Sequence, residues 1–430
     1  LISFDKGKKV RISDIEISGN NEITDGKLKR AMKKTKQKSV LNPLRIFKPS
    51  KFIAAEYQND LDNILNKYKE NGYRDARILE EKATYNAKSN DMKIKIKIEE
   101  GKKYYIGNIR FIGNTVYSDF MLRRTLGIEK GEVYNGVLLN DRIQNQMNPD
   151  ANDITNLYQN QGYLFSRVNL VETRTYNDTI DFDVRIYEGN LAHFNNVTVT
   201  GNDKTHDYII LRELSTIPGQ KWDRSNIYES MRRLQSMNIF DAQNIVPNVK
   251  NADPVDSTVD VEWQVVEHGQ SQVEVQGGYG GRTFIGTVAL SFNNFSLRNI
   301  FNKNAYRPFP MGDAQKLSVR AQASTYFQTY SLSFTEPWFG GKKPISLFGS
   351  VSHSRQFAYN YSNYNVDRKQ GLNITSVNLG IAKRLSDPIF SLSQSVSYQH
   401  YDLSNYNTSY FAFKNGSSKN LAYTIELTRD

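Results

Sequence analysis

The chain contains no cysteine among its 430 residues. Disulfide bonds, thiolate metal sites and cysteine nucleophiles all require that residue and are therefore excluded. Long apolar runs are also missing, because no stretch reaches the roughly 18 consecutive apolar residues of a membrane-spanning helix. A membrane β-barrel stays possible, since its strands alternate between apolar and polar residues and average out as polar.

Motifs that would carry catalysis are missing too. The five histidines include no pair at metal-ligand spacing, and there is neither a G-x-S-x-G elbow nor a Walker A loop. Gly277–Gly281 is glycine-rich like a phosphate-binding loop, but it joins two predicted strands and no helix follows it. Glu99 and Glu100 belong to a pattern that recurs at module ends and are interpreted as structural. We therefore expect no enzyme activity, no cofactor and no bound metal.

Lysine is concentrated in the first fifty residues and contributes to a net charge of +11. A nucleic-acid partner is one explanation. A solvated basic surface or an attraction to anionic head groups is the simpler one, and we expect no nucleic acid. The chain opens with LISFDKGKKV, which lacks the regions of a signal peptide. Either such a peptide has been removed or the sequence begins inside a longer protein.

A strand that ends in Gly-Asn occurs three times, at Ile15–Asn20, Ile109–Asn114 and Val197–Asn202. Two helical patterns follow each strand, with apolar residues at i, i+3 and i+4. Alternating strands then close every repeat. The order β-α-α-β-β predicts an α+β module in which two helices cover one side of a small sheet.

The predicted helical faces are defined by their apolar residues. The first helices carry Leu28, Ala31 and Met32; Leu122, Thr125 and Leu126; and Ile210, Leu211 and Leu214. The second helices carry Tyr57, Leu61, Ile64, Leu65 and Tyr68; Ile154, Leu157 and Tyr158; and Ile227, Met231 and Leu234. Gly72 and Gly162 follow the second helices as left-handed caps.

Helical periodicity ends after Gly269, and period-two stretches continue to the end of the chain. About eight strands are predicted: Gln272–Gly280, Thr283–Phe295, Gln315–Thr325, Gln328–Glu336, Ile345–Gln356, Gly371–Leu385, Phe390–His400 and Asn420–Arg429. A soluble sandwich would alternate in the same way.

Strand length and loop character favour an antiparallel transmembrane β-barrel over a sandwich. The strands have about ten residues, against roughly 5–6 in soluble sheets. Polar excursions are predicted at Ala358–Gln370 and Tyr401–Lys419, and short turns at Gly340–Lys343 and Ser386–Pro388. Long loops on one rim and short turns on the other are typical of outer-membrane barrels.

These motifs resemble those of a known family. The repeats are similar to POTRA modules, and three of them before a barrel resemble the BamA family of outer-membrane assembly factors. Asn71–Ala76, Gly278–Gly280 and Thr335–Phe339 are similar to the family at the corresponding points, and the similarity covers essentially the whole chain. We accordingly predict POTRA modules at 1–101, 102–189 and 190–269, and the first half of the barrel at 270–430.

The resemblance implies a protein of the outer membrane, with its modules in the periplasm. Members of the family insert β-barrel clients without ATP, contact membrane lipid and act in a complex with lipoprotein subunits. The first barrel strand would offer its backbone edge to a client strand. By this carry-over, the templating edge comprises Val273, Val275, Gly277, Gly278, Tyr279 and Gly280.

Other interpretations stay open at this stage. The glycines of the first barrel strand either weaken the barrel seam or curve the wall. A two-partner-type secretion pore would share the fold, although such relatives normally carry two modules. A binding protein with a β-sandwich tail is the third alternative. The family's barrel has more strands than are predicted here, so we expect a longer protein.

Overall fold

The structure is a computed structural model that describes most of the chain. Its described residues are 10–37, 51–145, 148, 150–269, 271–280, 283–360, 365–385, 390–409 and 411–429. They form two compact units: one holds the two N-terminal modules, and the other holds most of the third module and the C-terminal sheet. Among these residues, no helix is both long and apolar enough to cross a membrane.

The first module has the predicted β-α-α-β-β order. Its elements are β1 (Arg11–Ser18), α1 (Asp25–Ala31), α2 (Ala54–Lys69), β2 (Arg77–Asn86) and β3 (Asp91–Glu99). The last strand is central, because β3 pairs in parallel with β1 and antiparallel with β2. The predicted apolar stripe of α2 is buried at Leu61, Ile64 and Tyr68, where it packs with the inner face of the sheet.

The second module contains one helix more than predicted. Its elements are β4 (Tyr105–Ile112), α3 (Asp119–Leu126), α4 (Gly136–Ile143), α5 (Ile154–Gln159), β5 (Arg167–Tyr176) and β6 (Thr179–Tyr187). The sheet order β4-β6-β5 repeats that of the first module. The prediction of a single second helix is wrong here, because Asn135 and Asp153 each cap a separate helix through their side chains.

The third module repeats the two-helix arrangement of the first module, with shorter helices. Its elements are β7 (His193–Thr200), α6 (Asp207–Leu211), α7 (Arg224–Ser236), β8 (Val246–Asp253) and β9 (Thr258–Gln264), and β9 is central. Leu211 was predicted to face the core, but its side chain is 42% exposed. Ile210 and Leu214 are buried as predicted, and Ile209 is buried in place of Leu211 in this five-residue helix.

The repeated Gly-Asn turns have one steric explanation. Gly19, Gly113 and Gly201 all have φ between 84° and 89°, and an added Cβ would lie 2.0–2.2 Å from a carbonyl oxygen of the central strand. Only glycine combines that conformation with that approach. The asparagine after each glycine donates to the backbone three residues ahead and to the first aspartate of the following helix.

The C-terminal part forms one eight-stranded antiparallel sheet in sequence order, as predicted. Its strands are β10 (Ser271–Gly280), β11 (Thr283–Phe295), β12 (Gln315–Ser324), β13 (Phe327–Glu336), β14 (Ile345–Asn360), β15 (Asn365–Arg384), β16 (Phe390–Ser404) and β17 (Gly416–Arg429).

The two faces of this sheet differ in polarity along their whole width. Directly paired residues lie on one face, and one row is apolar on all eight strands: Val273, Leu290, Val319, Leu332, Val351, Val377, Tyr398 and Leu421. The neighbouring row on the opposite face is Glu274, Ala289, Arg320, Ser331, Ser352, Ser376, Gln399 and Asn420. Most side chains of the apolar row are exposed. An exposed apolar face opposite a polar one is the pattern of a membrane barrel wall.

The predicted division into long loops and short turns is only partly right. The excursion at Ala358–Gln370 is largely strand, because the β14–β15 ladder continues beyond a register shift at Phe357 and Ala358. The excursion at Tyr401–Lys419 also begins and ends in strand. The turn at Gly340–Lys343 is confirmed, whereas Ser386–Pro388 lies outside the described residues. A long connection, residues 296–314, joins β11 to β12 on the rim that contacts the third module.

Candidate functional site

Strand β10 contains all six residues of the predicted templating edge and forms one edge of the sheet. Ten residues pair with β11 in unbroken register, from Ser271 opposite Phe292 to Gly280 opposite Thr283. The other long side of β10 has no strand partner within the described part of the chain. In that part of the chain, its outward N–H and C=O groups therefore have no strand to pair with.

The side chains of β10 are exposed on both faces. Val273, Val275 and Tyr279 lie on the apolar face and are 70–78% exposed. Gln272, Glu274 and Gln276 lie on the polar face. A strand added to this edge would therefore continue the apolar face if its own residues alternated in the same way.

The glycines of β10 fall into two groups. A Cβ at Gly277 would lie 2.9 Å from Cζ of Phe284, whose ring covers Gly277 and its cross-strand partner Gly286. An aromatic ring over paired glycines is a known way to stabilise a sheet. Gly278 and Gly280 have open space around the Cβ position and no left-handed φ. Steric demand therefore explains Gly277, whereas Gly278 and Gly280 only lower the strand propensity.

A second constellation joins the third module to the sheet. Thr205 follows the Gly-Asn turn, and its hydroxyl donates to Glu267 at 2.6 Å and accepts from the Asn294 amide at 2.9 Å. Asn294 lies near the end of β11, and its Oδ1 accepts from the backbone of Ala314. Thr205 and Asn294 are buried, so losing either side chain would remove one hydrogen bond from the other in a place that excludes water.

Glu267 corresponds to Glu100 and Glu188 in the other two modules. All three glutamates accept hydrogen bonds from the Gly-Asn turn, but the side-chain hydroxyl that donates to them differs. Glu100 accepts from the backbone N–H groups of residues 21–23 and from the Tyr68 hydroxyl at 2.9 Å. Glu188 accepts from residues 115 and 116 and from the Tyr158 hydroxyl at 2.9 Å. Of the two glutamates interpreted as structural from the sequence, Glu100 holds its turn through these hydrogen bonds, and Glu99 pairs with Arg77 on the surface. In the third module Glu267 again accepts from the backbone of the turn, at residues 204 and 205, but Leu234 replaces the tyrosine and the Thr205 hydroxyl donates to the glutamate instead.

Asp313 is the centre of a polar cluster beside this joint. Its buried carboxylate accepts from Ser296 at 2.6 Å and from the Tyr208 hydroxyl at 2.5 Å. Nδ1 of His206 lies 3.1 Å away, and Arg298 lies 3.9 Å away. Burial works to raise the pKa of Asp313, but these hydrogen bonds and charges hold it below its ordinary value. Burial and the bond to Asp313 raise the pKa of Tyr208 to about 12.

Trp338 links the third module to the turn after β13. Its indole N–H donates to the carboxylate of Glu213, and the guanidinium of Arg212 lies 5.3 Å from its ring centre. Arg212 also lies over the Tyr208 ring. Burial lowers the pKa of Arg212. Two hydrogen bonds from separate connections of the sheet therefore hold this part of the third module. Asp313 binds Tyr208 in α6, and Trp338 binds Glu213 just after it.

Sequence reasoning did not identify the residues of this joint. Thr205, Asn294 and Asp313 are common polar residues with no motif around them. One signal was present: aligning the three repeats places Leu234 where the other two have Tyr68 and Tyr158. A departure from a repeat at a buried polar position indicates that its hydrogen-bond partner has changed.

Comparisons with known proteins agree with this architecture. The model of the POTRA family, described as surface antigen variable number repeat, matches residues 10–101, 104–189 and 192–268. The model of the Omp85 superfamily domain matches residues 311–430. A crystal structure of BamA from Haemophilus ducreyi lacking POTRA domains 1–3 has the same fold, with a TM-score of 0.53 and 17% identity over 75% of this chain and 58% of that chain.

Curated relatives are similar along most of the chain. It is 27% identical over 376 residues to the outer membrane protein assembly factor BamA of Neisseria meningitidis, covering 84% of this chain and 43% of that protein. It is 24% identical over 374 residues to BamA of Buchnera aphidicola, covering 85% of this chain and 54% of that protein. The chain thus spans about half the length of these relatives. Since the family model covers three modules and more than half of the chain, the protein belongs to the POTRA family and carries an Omp85 superfamily domain at its C-terminal end.

Proposed function

We propose that this chain supplies the module array and the first barrel strands of an outer-membrane protein insertase. Strand β10 carries the proposal, because it is the first strand of the sheet, its outer edge has no strand partner among the described residues, and a continuous, exposed apolar face lies behind it. A client strand that pairs with β10 satisfies its backbone groups at the moment it enters lipid, where unsatisfied groups are costly. Val273, Val275, Gly277, Gly278, Tyr279 and Gly280 act through their backbone.

The names of the relatives support the same function. Proteins called outer membrane assembly factors match most of this chain. By analogy, the chain lies in the outer membrane with its modules in the periplasm. Unfolded barrel proteins are its clients, and lipoprotein subunits dock on the modules, whose outer strands β2, β5 and β8 have free edges in their sheets.

The glycines suggest how the edge is kept available. Gly278 and Gly280 are not required by space or by φ, so their effect is to weaken the pairing of β10 with its neighbours. A weakly paired first strand exchanges one partner strand for another more readily. The insertase consumes no ATP, and the free energy comes from the client's own folding into lipid.

Reconstitution tests this proposal against a secretion pore. The full-length protein is placed in lipid vesicles and given either an unfolded barrel protein or a soluble export substrate. We expect the barrel protein to become heat-modifiable on a gel and protected from protease, and the soluble substrate to stay outside. Export of the soluble substrate without barrel insertion would replace the insertase with a two-partner-type pore.

A matched pair of glycine variants tests the role of the edge itself. Gly278→Val raises the strand propensity of β10, while Gly349→Val makes the same change within β14, which has neighbours on both sides. Strand propensities differ by about 1 kcal/mol, so we expect insertion to slow about fivefold in Gly278→Val and hardly at all in the control. Equal effects would contradict a special role for β10.

A further inference from the structure

We infer that the connection between β11 and β12, residues 296–314, binds the surface of the membrane leaflet that faces the modules. The inference rests on the proposed membrane location of the sheet and adds a second lipid contact beyond its strands. The surface consists of the exposed apolar residues Leu297, Phe301, Tyr306 and Phe309 together with the basic residues Arg298, Lys303 and Arg307. We call it the rim loop.

Phe301 is the most exposed large apolar residue of this loop, with 96% of its surface accessible. Leaving an aromatic side chain in water forgoes roughly 2 kcal/mol of burial free energy. The backbone of the rim loop is held in a defined conformation by hydrogen bonds.

Hydrogen bonds hold the rim loop at both of its ends. The backbone N–H of Ser296 donates to Pro310 at 2.9 Å, and that of Met311 donates to Ala305 at 3.2 Å. The Tyr306 hydroxyl donates to the Ile300 carbonyl at 2.7 Å. The loop is therefore built to present Phe301 outward, and it does not collapse onto its own core.

The apolar surface of the rim loop continues that of the sheet. The ring of Phe309 packs on Phe292, with 4.1 Å between the ring centres. Phe292 is directly paired with Leu317, two residues along the strands from the apolar pair Leu290 and Val319. Phe292 and Leu317 therefore belong to the apolar face. The loop thus extends this face beyond the strand ends on the rim that contacts the third module, where the lipid head groups would lie.

The chemistry of the loop suits a head-group region. Aromatic residues concentrate at membrane interfaces, and basic side chains extend their charge to the phosphates while their stems stay in the apolar layer. Of the three basic residues, Lys303 is exposed, Arg298 lies 3.9 Å from the buried Asp313, and Arg307 donates to the Asp203 carbonyl at 3.3 Å. Asp313 is the single acidic residue of the loop, so its net charge is positive. This charge favours anionic phospholipid over a basic or neutral protein surface.

Depth-dependent fluorescence quenching tests the inference. The chain contributes no native cysteine, so single cysteines can carry an environment-sensitive dye. The full-length protein is reconstituted with anionic phospholipid that contains nitroxide-labelled lipid, shallow or deep. Phe301→Cys is compared with Val351→Cys on the apolar face and with Phe120→Cys, which is 77% exposed on α3 of the second module.

We expect the dye at position 301 to be quenched most by the shallow nitroxide, the dye at 351 by the deep one, and the dye at 120 by neither. If position 301 behaves like position 120 while 351 is quenched, the inference is wrong and the rim loop faces water or a protein. If 351 is not quenched either, the membrane location fails and the inference fails with it.

The contribution of the loop's positive charge to lipid binding is tested with a separate pair of variants. Lys303→Gln in the Phe301→Cys background removes one cation from the loop, and Lys130→Gln removes one from the second module. One cation at an anionic surface corresponds to about fivefold in binding, so we expect Lys303→Gln to reduce the insertion equilibrium by about that factor. No change relative to Lys130→Gln would overturn the preference for anionic lipid.

Discussion

The three modules share one Gly-Asn turn, but they complete it with different partners. In the first two, a glutamate joins the turn to a tyrosine of the module's own second helix. In the third, the tyrosine is replaced by Leu234, and the glutamate binds Thr205, which accepts a hydrogen bond from Asn294 of the sheet. In the first two modules, the glutamate's hydrogen-bond partners lie within the module, so the turn does not depend on a neighbouring domain. The third module differs because two of its buried positions turn that network toward the sheet.

The largest loss of stability is expected when Glu100, the acceptor of the hydrogen bonds within the first module, is removed. Glu100→Ala leaves the N–H groups of residues 21–23 and the Tyr68 hydroxyl without their acceptor, and we expect the first module to lose about 3 kcal/mol of stability. Hydrogen exchange of the turn would show the loss as faster exchange at residues 20–24. The neighbouring variant Glu99→Ala is the control, because Glu99 is exposed and pairs only with Arg77 on the surface. Similar exchange in both variants would contradict the role of Glu100.

The next prediction separates two reasons for the turn glycine, its left-handed φ and the close approach of a carbonyl oxygen. Gly113→Ala places a Cβ 2.2 Å from the Ile186 carbonyl oxygen at φ 89°, whereas Gly131→Ala meets open space at φ 91°. The left-handed conformation costs about 1 kcal/mol in both, and we expect about 1 kcal/mol more for Gly113→Ala from the contact. Denaturant unfolding of the two variants measures the difference. Equal losses would mean that φ alone accounts for the repeated glycine.

A smaller effect is expected where the third module departs from the pattern. Thr205→Val keeps the shape of the side chain but removes the hydroxyl's hydrogen bonds to Glu267 and Asn294. We expect a loss of about 1–2 kcal/mol, seen as faster hydrogen exchange both in the turn and at residues 312–315. Thr115→Val removes a bond to Glu188 in the second module and should affect that module only. If Thr205→Val leaves residues 312–315 unchanged, the joint does not depend on this threonine.

The smallest effect is expected from acid. The pKa of Asp313 is lowered in the folded state, so its contribution is complete above the unfolded pKa of about 4 and is lost as pH falls through the lower folded value. Hydrogen exchange of residues 296–313, corrected for intrinsic rates, should therefore stay constant from neutral pH to about pH 4 and rise below it. Asp313→Asn should lack this transition. A transition between pH 5 and 7 would point to another group.

Local patterns predicted much of the fold. The Gly-Asn repeats, the amphipathic helices and the period-two strands each depend on residues close in sequence, and these elements are confirmed. Helix α4 was missed because it is only eight residues long and its start is set by a single capping side chain, Asn135. The extent of β14 and β15 was missed because polar strands are held by neighbouring strands, which local composition does not reveal.

The site was predictable to a different degree. The position of β10 as the first strand of the sheet was predicted from strand order and is confirmed. Its templating role stays a prediction. The joint around Thr205, Asn294 and Asp313 could not be predicted, because it brings together residues about 90–110 positions apart through single hydrogen bonds.

Crosslinking tests the central claim, that β10 offers its backbone edge to a client strand. Single cysteines at positions 273, 275, 277 and 279 of the full-length protein are combined with a cysteine scan of the terminal strand of a stalled barrel client, and Leu332→Cys in the interior strand β13 is the control. We predict crosslinks at a single register, in which moving two residues along β10 moves the partner by two residues. Crosslinks no stronger than those of Leu332→Cys, with the client still bound, would contradict the claim.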